Sequence, residues 1–344
     1  MTSYCVAFWN LENLFAPEGF AEREPWLAKR VANDLRGWTQ ELFSRKIDRL
    51  VHIIRQMNGG TGPDLLGVCE VENRFVLETL AERLNAQLPG RRYGMVHADA
   101  ERDQRGIDTA FLHDTRTLTP NLDELFSHWV MRRTGTRDIS QCTFVTAAGR
   151  ELVAQSNHWP SRSAPPGAGS QYSAGFRATA GETLGYWHER IREVKGPEVA
   201  LLSMGDFNDD PFDLSLKVHA VALREQGDVD RAQSAKLFNL SWSYLTQTAV
   251  DHRGNPRTID GTLYFGGDGN LFDQILVSRG LLAGPNPLKV RPGSARIEVI
   301  PEMVDHRVGE GPIRFGLPKG DAAKNVNTDG FSDHFPVSVL VDEA

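Results

Sequence analysis

The sequence predicts an α/β protein built from two packed β-sheets flanked by helices. Three observations lead there. Apolar runs and amphipathic stretches follow the order strand, helix, strand, helix, then paired strands, then strand and helix again. Neither standard form of glycine-rich phosphate loop occurs, which argues against a nucleotide-dependent parallel sheet. No composition break or linker divides the 344 residues, so residues 1–344 are read as a single domain with a sizeable core.

The elements follow in order. Tyr4–Trp9 is a buried strand, and Phe15–Leu35 a polar loop with some helix. From Gln40 to Met57 the residues Leu42, Phe43, Ile47, Leu50, Val51 and Ile54 recur at helical spacing, and Asn58-Gly59-Gly60 ends the run. Asp64–Cys69 is a second buried strand. Asn73 caps a helix reaching about Leu88. Tyr93–His97 with Ile107–His113, and Ser140–Thr146 with Glu151–Gln155, read as strand pairs. Pro160–Ser173, rich in Ser, Pro and Gly, is a mobile surface loop. A helix over Thr179–Val194 precedes the apolar run Val199–Leu202. Asp213–Leu223 is read as helical, Gly266–Gly269 as a turn, Gln274–Val277 as a strand, Gly309–Gly330 as a loop and Phe335–Val341 as the last strand.

Composition narrows the class. A formal charge of −7 means the surface as a whole does not attract polyanions, so a nucleic-acid substrate needs a local basic groove or metal ions. Cys5 and Cys69 lie in apolar runs far apart, which points to buried thiols and away from a disulfide framework or a zinc site. No basic leader with an apolar stretch and no bilayer-spanning run is present. The expectation is therefore a cytoplasmic enzyme with no membrane contact and no obligate protein partner.

Chemistry concentrates at strand ends. After the run Val199–Leu202 comes Ser203-Met204-Gly205-Asp206-Phe207-Asn208-Asp209-Asp210-Pro211. On an extended chain Asp206 and Asn208 share a face while Phe207 points to the core. An EF-hand is excluded, because Pro211 stands where that loop needs glycine and Lys217 where it needs a bidentate Glu. The same rule recurs: Asn10 and Glu12 follow the first strand, Glu70 the second, and Asn157-His158 follows Leu152–Gln155. Asp273 and Asp333-His334 precede the last two apolar runs. Strand ends of a layered α/β protein share one rim. Carboxylate and amide oxygens without cysteine favour Mg²⁺ or Mn²⁺ over Zn²⁺. Histidines beside such a cation stabilise charge on a transferring phosphoryl group, which makes metal-assisted phosphoester hydrolysis the indicated chemistry.

Trp9-Asn10-Leu11-Glu12, Pro63-Asp64-Leu65-Leu66 with Glu70, Asn157-His158, Gly205-Asp206-Phe207-Asn208, Phe272-Asp273 and Ser332-Asp333-His334 stand in the order found in the endonuclease/exonuclease/phosphatase superfamily, which the chain resembles over residues 9–334. The resemblance implies a four-layer α/β/β/α sandwich of two mixed sheets flanked by helices, with the site at one end. It implies Glu70 as principal metal ligand, Asn10 and Asp333 near the ion, and Glu12 assisting. Asp206 then activates or positions the attacking water, and Asn208 orients it or the phosphate. His334, oriented by Asp273, contacts the scissile phosphate together with His158, and Arg137 resembles a phosphate-contacting arginine. The expected activity is a divalent-metal-dependent phosphodiesterase of the deoxyribonuclease and abasic-endonuclease kind, with DNA as favoured substrate. Arg132–Arg137 would follow the backbone and Trp159 or Phe176 would stack on a base. A small-molecule or lipid head-group phosphoester is the alternative substrate, and an inactive binding scaffold the alternative class. Asp251-His252 and Asp305-His306 lack a following apolar strand and are read as surface loop pairs.

Overall fold

The first buried run goes past its apolar residues into the polar ones: β1 covers Thr2–Leu14 and pairs in parallel with β2, Leu65–Val71. In chain order there follow β3 (Tyr93–His97), β4 (Asp108–Asp114), β5 (Leu118–His128), β6 (Ile139–Thr146), β7 (Glu151–His158) and β8 (Leu201–Asp206). Then come β9 (Ala222–Leu223), β10 (Leu237–Asn239), β11 (Gln247–Val250), β12 (Pro256–Ile259), β13 (Leu263–Phe265) and β14 (Asp268–Asn270). The last are β15 (Asp273–Ser278), β16 (Leu288–Val290), β17 (Arg296–Ile297) and β18 (Val337–Glu343). The structure is a computed structural model, describing residues 2–100, 103–133, 135–163, 165, 167–168 and 171–344. Ala164, Pro166, Gly169 and Ser170 of the expected loop, and Thr134 of the arginine-rich stretch, lie outside the described residues.

One sheet runs β16-β18-β1-β2-β4-β3, with β17 also on β18, and the other runs β5-β6-β7-β8-β15-β10-β9. Each is mixed. The parallel pairs β1/β2 and β7/β8 sit at the centres, with antiparallel neighbours on both sides. Alternation along the strands makes the layers. Leu202, Met204, Ile275 and Val277 face the first sheet and join its core. Leu201, Leu276 and Val153 face the other way and bury Ala180, Leu184 and Ile191 of the helix Ala174–Lys195. On the far side, Phe43, Ile47 and Leu50 of helix Gln40–Ile54 and Val76, Leu80 and Leu84 of helix Arg74–Gln87 join the first sheet's core. Each fully buried Val, Leu, Ile, Phe or Met side chain among them contributes about 1.5–3 kcal/mol. The layers are therefore α/β/β/α. No helix among the described residues is long and apolar enough to cross a membrane.

Several elements differ from the sequence reading. The Asn73 cap is as expected, its side chain accepting from the Val76 amide at 3.2 Å. The long helix begins five residues earlier than Thr179, at Ala174. Asp213–Leu223 is not a continuous helix. It forms a wide turn over Ser215–His219 and then β9, because the segment lies against the long helix at Gly181, where a Cβ would stand 2.4 Å from the Ser215 carbonyl oxygen. The edge strand β5 was not foreseen: it contains Pro120, and most of its residues are at least partly exposed, so it lacks an apolar run. Gly266–Gly269 belongs to the β13/β14 hairpin. Cys5, Cys69 and Cys142 are buried free thiols. Asp251 and Asp305 take donors from their own loops, while His252 and His306 meet edge to face at 5.2 Å.

The topology gathers the polar strand ends. β1, β2, β7 and β8 finish at the rim where the antiparallel β15 and β18 begin. In register, Asp206 lies opposite His158 on one side and Asp273 on the other. Close approach of β7 and β8 requires glycine at 205, since a Cβ there would fall 2.5 Å from Asn157 Cβ and 2.6 Å from its carbonyl oxygen. Gly205→Ala is accordingly expected to destabilise the fold by about 1–3 kcal/mol through overpacking, read as a lower urea midpoint. An unchanged midpoint would mean the two strands have slack that these contacts do not show.

Candidate active site

Strain marks the rim. Glu12, Asn13, Glu70 and Asn208 have φ of 52°, 54°, 62° and 51°. This left-handed region costs a residue with a Cβ roughly 1–2 kcal/mol, and such residues cluster where a site over-determines the backbone.

Asp206 ends β8 and is 2% exposed. Asn10 Nδ2 donates to its Oδ2 at 3.1 Å and the Asn208 amide to its Oδ1 at 3.0 Å. Burial pushes the Asp206 carboxyl up to about 7; His334 opposes the shift and Asp273 adds to it. His334 shares a 2.7 Å hydrogen bond with Asp273 Oδ2 through Nδ1. Its Nε2 lies 3.9 Å from Asp206 Oδ2 and 3.9 Å from Asp333 Oδ1. Burial pulls this imidazolium down, but Asp273, Asp206 and Asp333 together hold it well above the usual histidine range. Among the described residues the Asp273 Oδ1 atom has no hydrogen-bond partner. Asp333 is pushed up to about 6 by burial and by Glu12.

Glu70 accepts from the Asn13 amide at 2.8 Å, and its other oxygen lies 3.6 Å from His158 Nε2 and 3.6 Å from Arg105 Nη1. His158 Nε2 is also 3.7 Å from Asp206 Oδ2. Burial, with Arg137, Arg105 and His334 nearby, keeps the His158 imidazole well below its ordinary value. Asn208 Nδ2 and Arg137 Nη2 both donate to the Trp159 carbonyl at 3.0 Å. Arg137 is buried, and among the described residues its Nε has no partner.

The structure thus brings Asn10, Glu70, His158, Asp206, Asn208, Asp273, Asp333 and His334 to one mouth, with Arg137 bound to the same carbonyl as Asn208. Ligand atoms of Asp206, Asp273 and His334 lie within 4.8 Å of one another. Glu70 connects to that group through His158, and Asp333 through His334. An oxygen-rich set of buried carboxylates, with His334 as the close counter-charge, fits a hard divalent cation. A second group with similar spacing, His97, Asp99 and Asp108, stands at the ends of β3 and β4.

Three expectations change. Glu12 is not open to the mouth: Oε2 takes Lys46 Nζ at 3.3 Å and the amides of Phe315 at 2.9 Å and Gly316 at 3.2 Å, while Oε1 takes Arg314 Nε at 2.8 Å. Trp159 does not present a face for base stacking, because it is 1% exposed and meets Phe207 edge to face at 4.8 Å. Phe176 is covered by the Arg132 guanidinium at 3.9 Å. The sequence reading did not single out Arg105, Lys46 or Arg314.

Two mixed sheets face to face between helices, with carboxylates, amides and histidines on one rim, define a class of α/β/β/α proteins with an oxygen-donor site at the strand ends. The family model described as the endonuclease/exonuclease/phosphatase family matches residues 5–343, and the chain belongs to that family. Solved structures with the same fold include an endonuclease/exonuclease/phosphatase family protein from Bacteroides thetaiotaomicron (16% identity, TM-score 0.54, 100% of this chain and 98% of that one). A mannosyl-6-phosphatase from the same organism gives 17% identity and a TM-score of 0.53, over 98% of this chain and 99% of that one. The human Nocturnin catalytic domain with bound sulfate gives 15% identity and 0.52, over 99% and 95%. At such identities the likeness shows the fold. A search of curated proteins finds no match. Family membership and the acidic cluster support a metal-dependent phosphoesterase.

Proposed function

We propose that the protein hydrolyses a phosphoester by in-line attack of a water molecule deprotonated by Asp206. The observation carrying this reading is the His334–Asp273 pair at 2.7 Å, whose free nitrogen faces the buried Asp206 carboxylate and the partly exposed Asp333 carboxylate. Glu70, Asp333 and the Asn10 amide would hold Mg²⁺ or Mn²⁺, which when bound supplies Lewis-acid charge stabilisation to the phosphate. Asp206 takes the proton of the attacking water, and Asn10 and the Asn208 amide fix its two oxygens. The water oxygen forms the new bond to phosphorus as the ester bond on the opposite side breaks. His334, kept protonated by Asp273, donates from Nε2 to a non-bridging oxygen. His158 Nε2–H and the unpartnered Arg137 Nε lie on the second sheet's side and suit another. The leaving alkoxide is protonated from solvent.

The aromatic residues expected to stack on DNA bases are otherwise engaged: Trp159 is in the core and Phe176 lies under Arg132. With a net charge of −7, this favours a compact phosphoester over a nucleic-acid duplex. A panel of plasmid, single-stranded DNA, RNA, sugar phosphates and aryl phosphoesters, each with Mg²⁺, Mn²⁺ or chelator, tests both points. Chelator-sensitive turnover strongest on the small esters is expected. Preferential plasmid cleavage would restore DNA as substrate, and chelator-insensitive turnover would overturn the metal reading.

A further inference from the structure

One cluster beside the mouth is left over from this chemistry. Glu12 and Lys46 form an ion pair in which each side chain is only 1% exposed, and Lys46 also donates to the Phe331 carbonyl at 2.7 Å. Two backbone amides complete Glu12 Oε2. The Glu12 charge is therefore already balanced, and its backbone turns in the left-handed region to present Oε1 outward to Arg314. Arg314 brings a positive charge that the pair does not need. Its side chain is 64% exposed, and among the described residues only Nε is hydrogen-bonded, which leaves both Nη groups free. It lies within electrostatic reach of Asp333 and Glu70.

Resting on the phosphoester reading above, we propose that Arg314, anchored by the buried Glu12–Lys46 pair, is a substrate-specificity residue that grips an anionic phosphate oxygen at the mouth, and that Glu12 serves this arginine and not the metal. A planar guanidinium fixed at Nε presents its two remaining nitrogens as a preorganised fork, the geometry that matches phosphate oxygens. In an acidic protein such a local cation is what draws an anionic substrate into a ring of carboxylates. The anchor also ties together the end of β1, the Arg314–Gly316 segment and Phe331, just before Asp333 and His334. Removing one buried partner leaves the other uncompensated, whereas replacing both by neutral groups does not.

The experiment compares wild type, Arg314→Ala, Arg314→Lys, Glu12→Gln and Glu12→Gln/Lys46→Met. Steady-state kinetics use p-nitrophenyl phosphate and bis(p-nitrophenyl) phosphate, and calorimetry measures Mn²⁺ binding alone. Arg314→Ala is expected to raise KM by about 10- to 100-fold, the loss of one charge-assisted hydrogen bond, with a smaller change in kcat. Arg314→Lys recovers part of that loss. Glu12→Gln lowers the melting temperature, and the double variant restores it while still raising KM and binding Mn²⁺ like wild type. A rise on the monoester, the diester or both supports the grip and says which phosphate it reads. Unchanged KM on both esters in Arg314→Ala overturns the grip. Loss of Mn²⁺ affinity in the double variant returns Glu12 to the metal. A wild-type protein that binds Mn²⁺ but shows no effect of Arg314 rejects this inference alone, whereas one that neither binds Mn²⁺ nor turns over either ester rejects the phosphoester reading itself.

Discussion

Asp206→Asn is expected to lower kcat by about 10³- to 10⁴-fold while leaving the fold intact, because it removes the base but keeps the shape. The amide fills the same space and keeps one of the two hydrogen bonds that the carboxylate accepts from Asn10 and the Asn208 amide, so circular dichroism should be unchanged. The pH dependence of stability should change. Burial raises the Asp206 carboxyl to about 7, far above its value in an unfolded chain. Between roughly pH 4 and pH 7 the folded state therefore holds a proton that the unfolded state has lost, and stability falls as pH rises through that window. Without metal the variant escapes this loss, so its melting temperature should stay level across that window while that of wild type falls. A variant that retains most of its turnover, or that loses it by unfolding, contradicts the role given to Asp206.

Asp273→Asn is expected to have the next largest effect, a kcat loss of about 10²- to 10⁴-fold together with a displaced pH profile. The 2.7 Å bond to Asp273 is His334's closest contact with a carboxylate. With Asp206 and Asp333, Asp273 holds the imidazolium well above the usual histidine range against the pull of burial. A raised histidine is protonated below its folded pKa and loses the proton as pH rises through it. Activity that needs the imidazolium is therefore lost on the alkaline side. Removing the Asp273 charge lowers that pKa, so the alkaline limb of kcat/KM should move to lower pH. A profile that keeps its limb while kcat falls would assign Asp273 a purely structural part.

Much of this was legible because each rim residue abuts an apolar run. Glu70 follows Leu65–Cys69, Asp206 follows Leu201–Gly205, and Asp273 and His334 precede Ile275–Val277 and Val337–Val341. Strand alternation and the tendency of α/β proteins to place function at strand ends were enough to nominate them. Lys46 was missed although it left a trace. It sits three residues after Phe43 and four before Leu50, on the stripe that buries Phe43, Ile47 and Leu50, and a lysine on a buried face requires a carboxylate partner. Arg314 left none, since its segment has no periodicity and its position depends on its own bond to Glu12, 302 positions back, and on the neighbouring Ile313 amide, which donates to the Met303 carbonyl at 2.7 Å. The partner of Glu12 was hidden for the same reason: sequence shows the acid beside Asn10 but not the lysine, 34 positions on, that meets it. The stacking expectation for Trp159 failed through burial. Trp159 follows a polar pair, yet it meets Phe207 edge to face with its indole nitrogen bonded to Asn157 at 3.1 Å.

Anomalous diffraction from crystals soaked in Mn²⁺ tests the gathering of these groups most directly. The expected result is a single strong peak at the rim, about 2.1 Å from a Glu70 carboxylate oxygen and adjacent to Asp333. A peak confined to His97, Asp99 and Asp108, or none at any concentration that supports turnover, would contradict it.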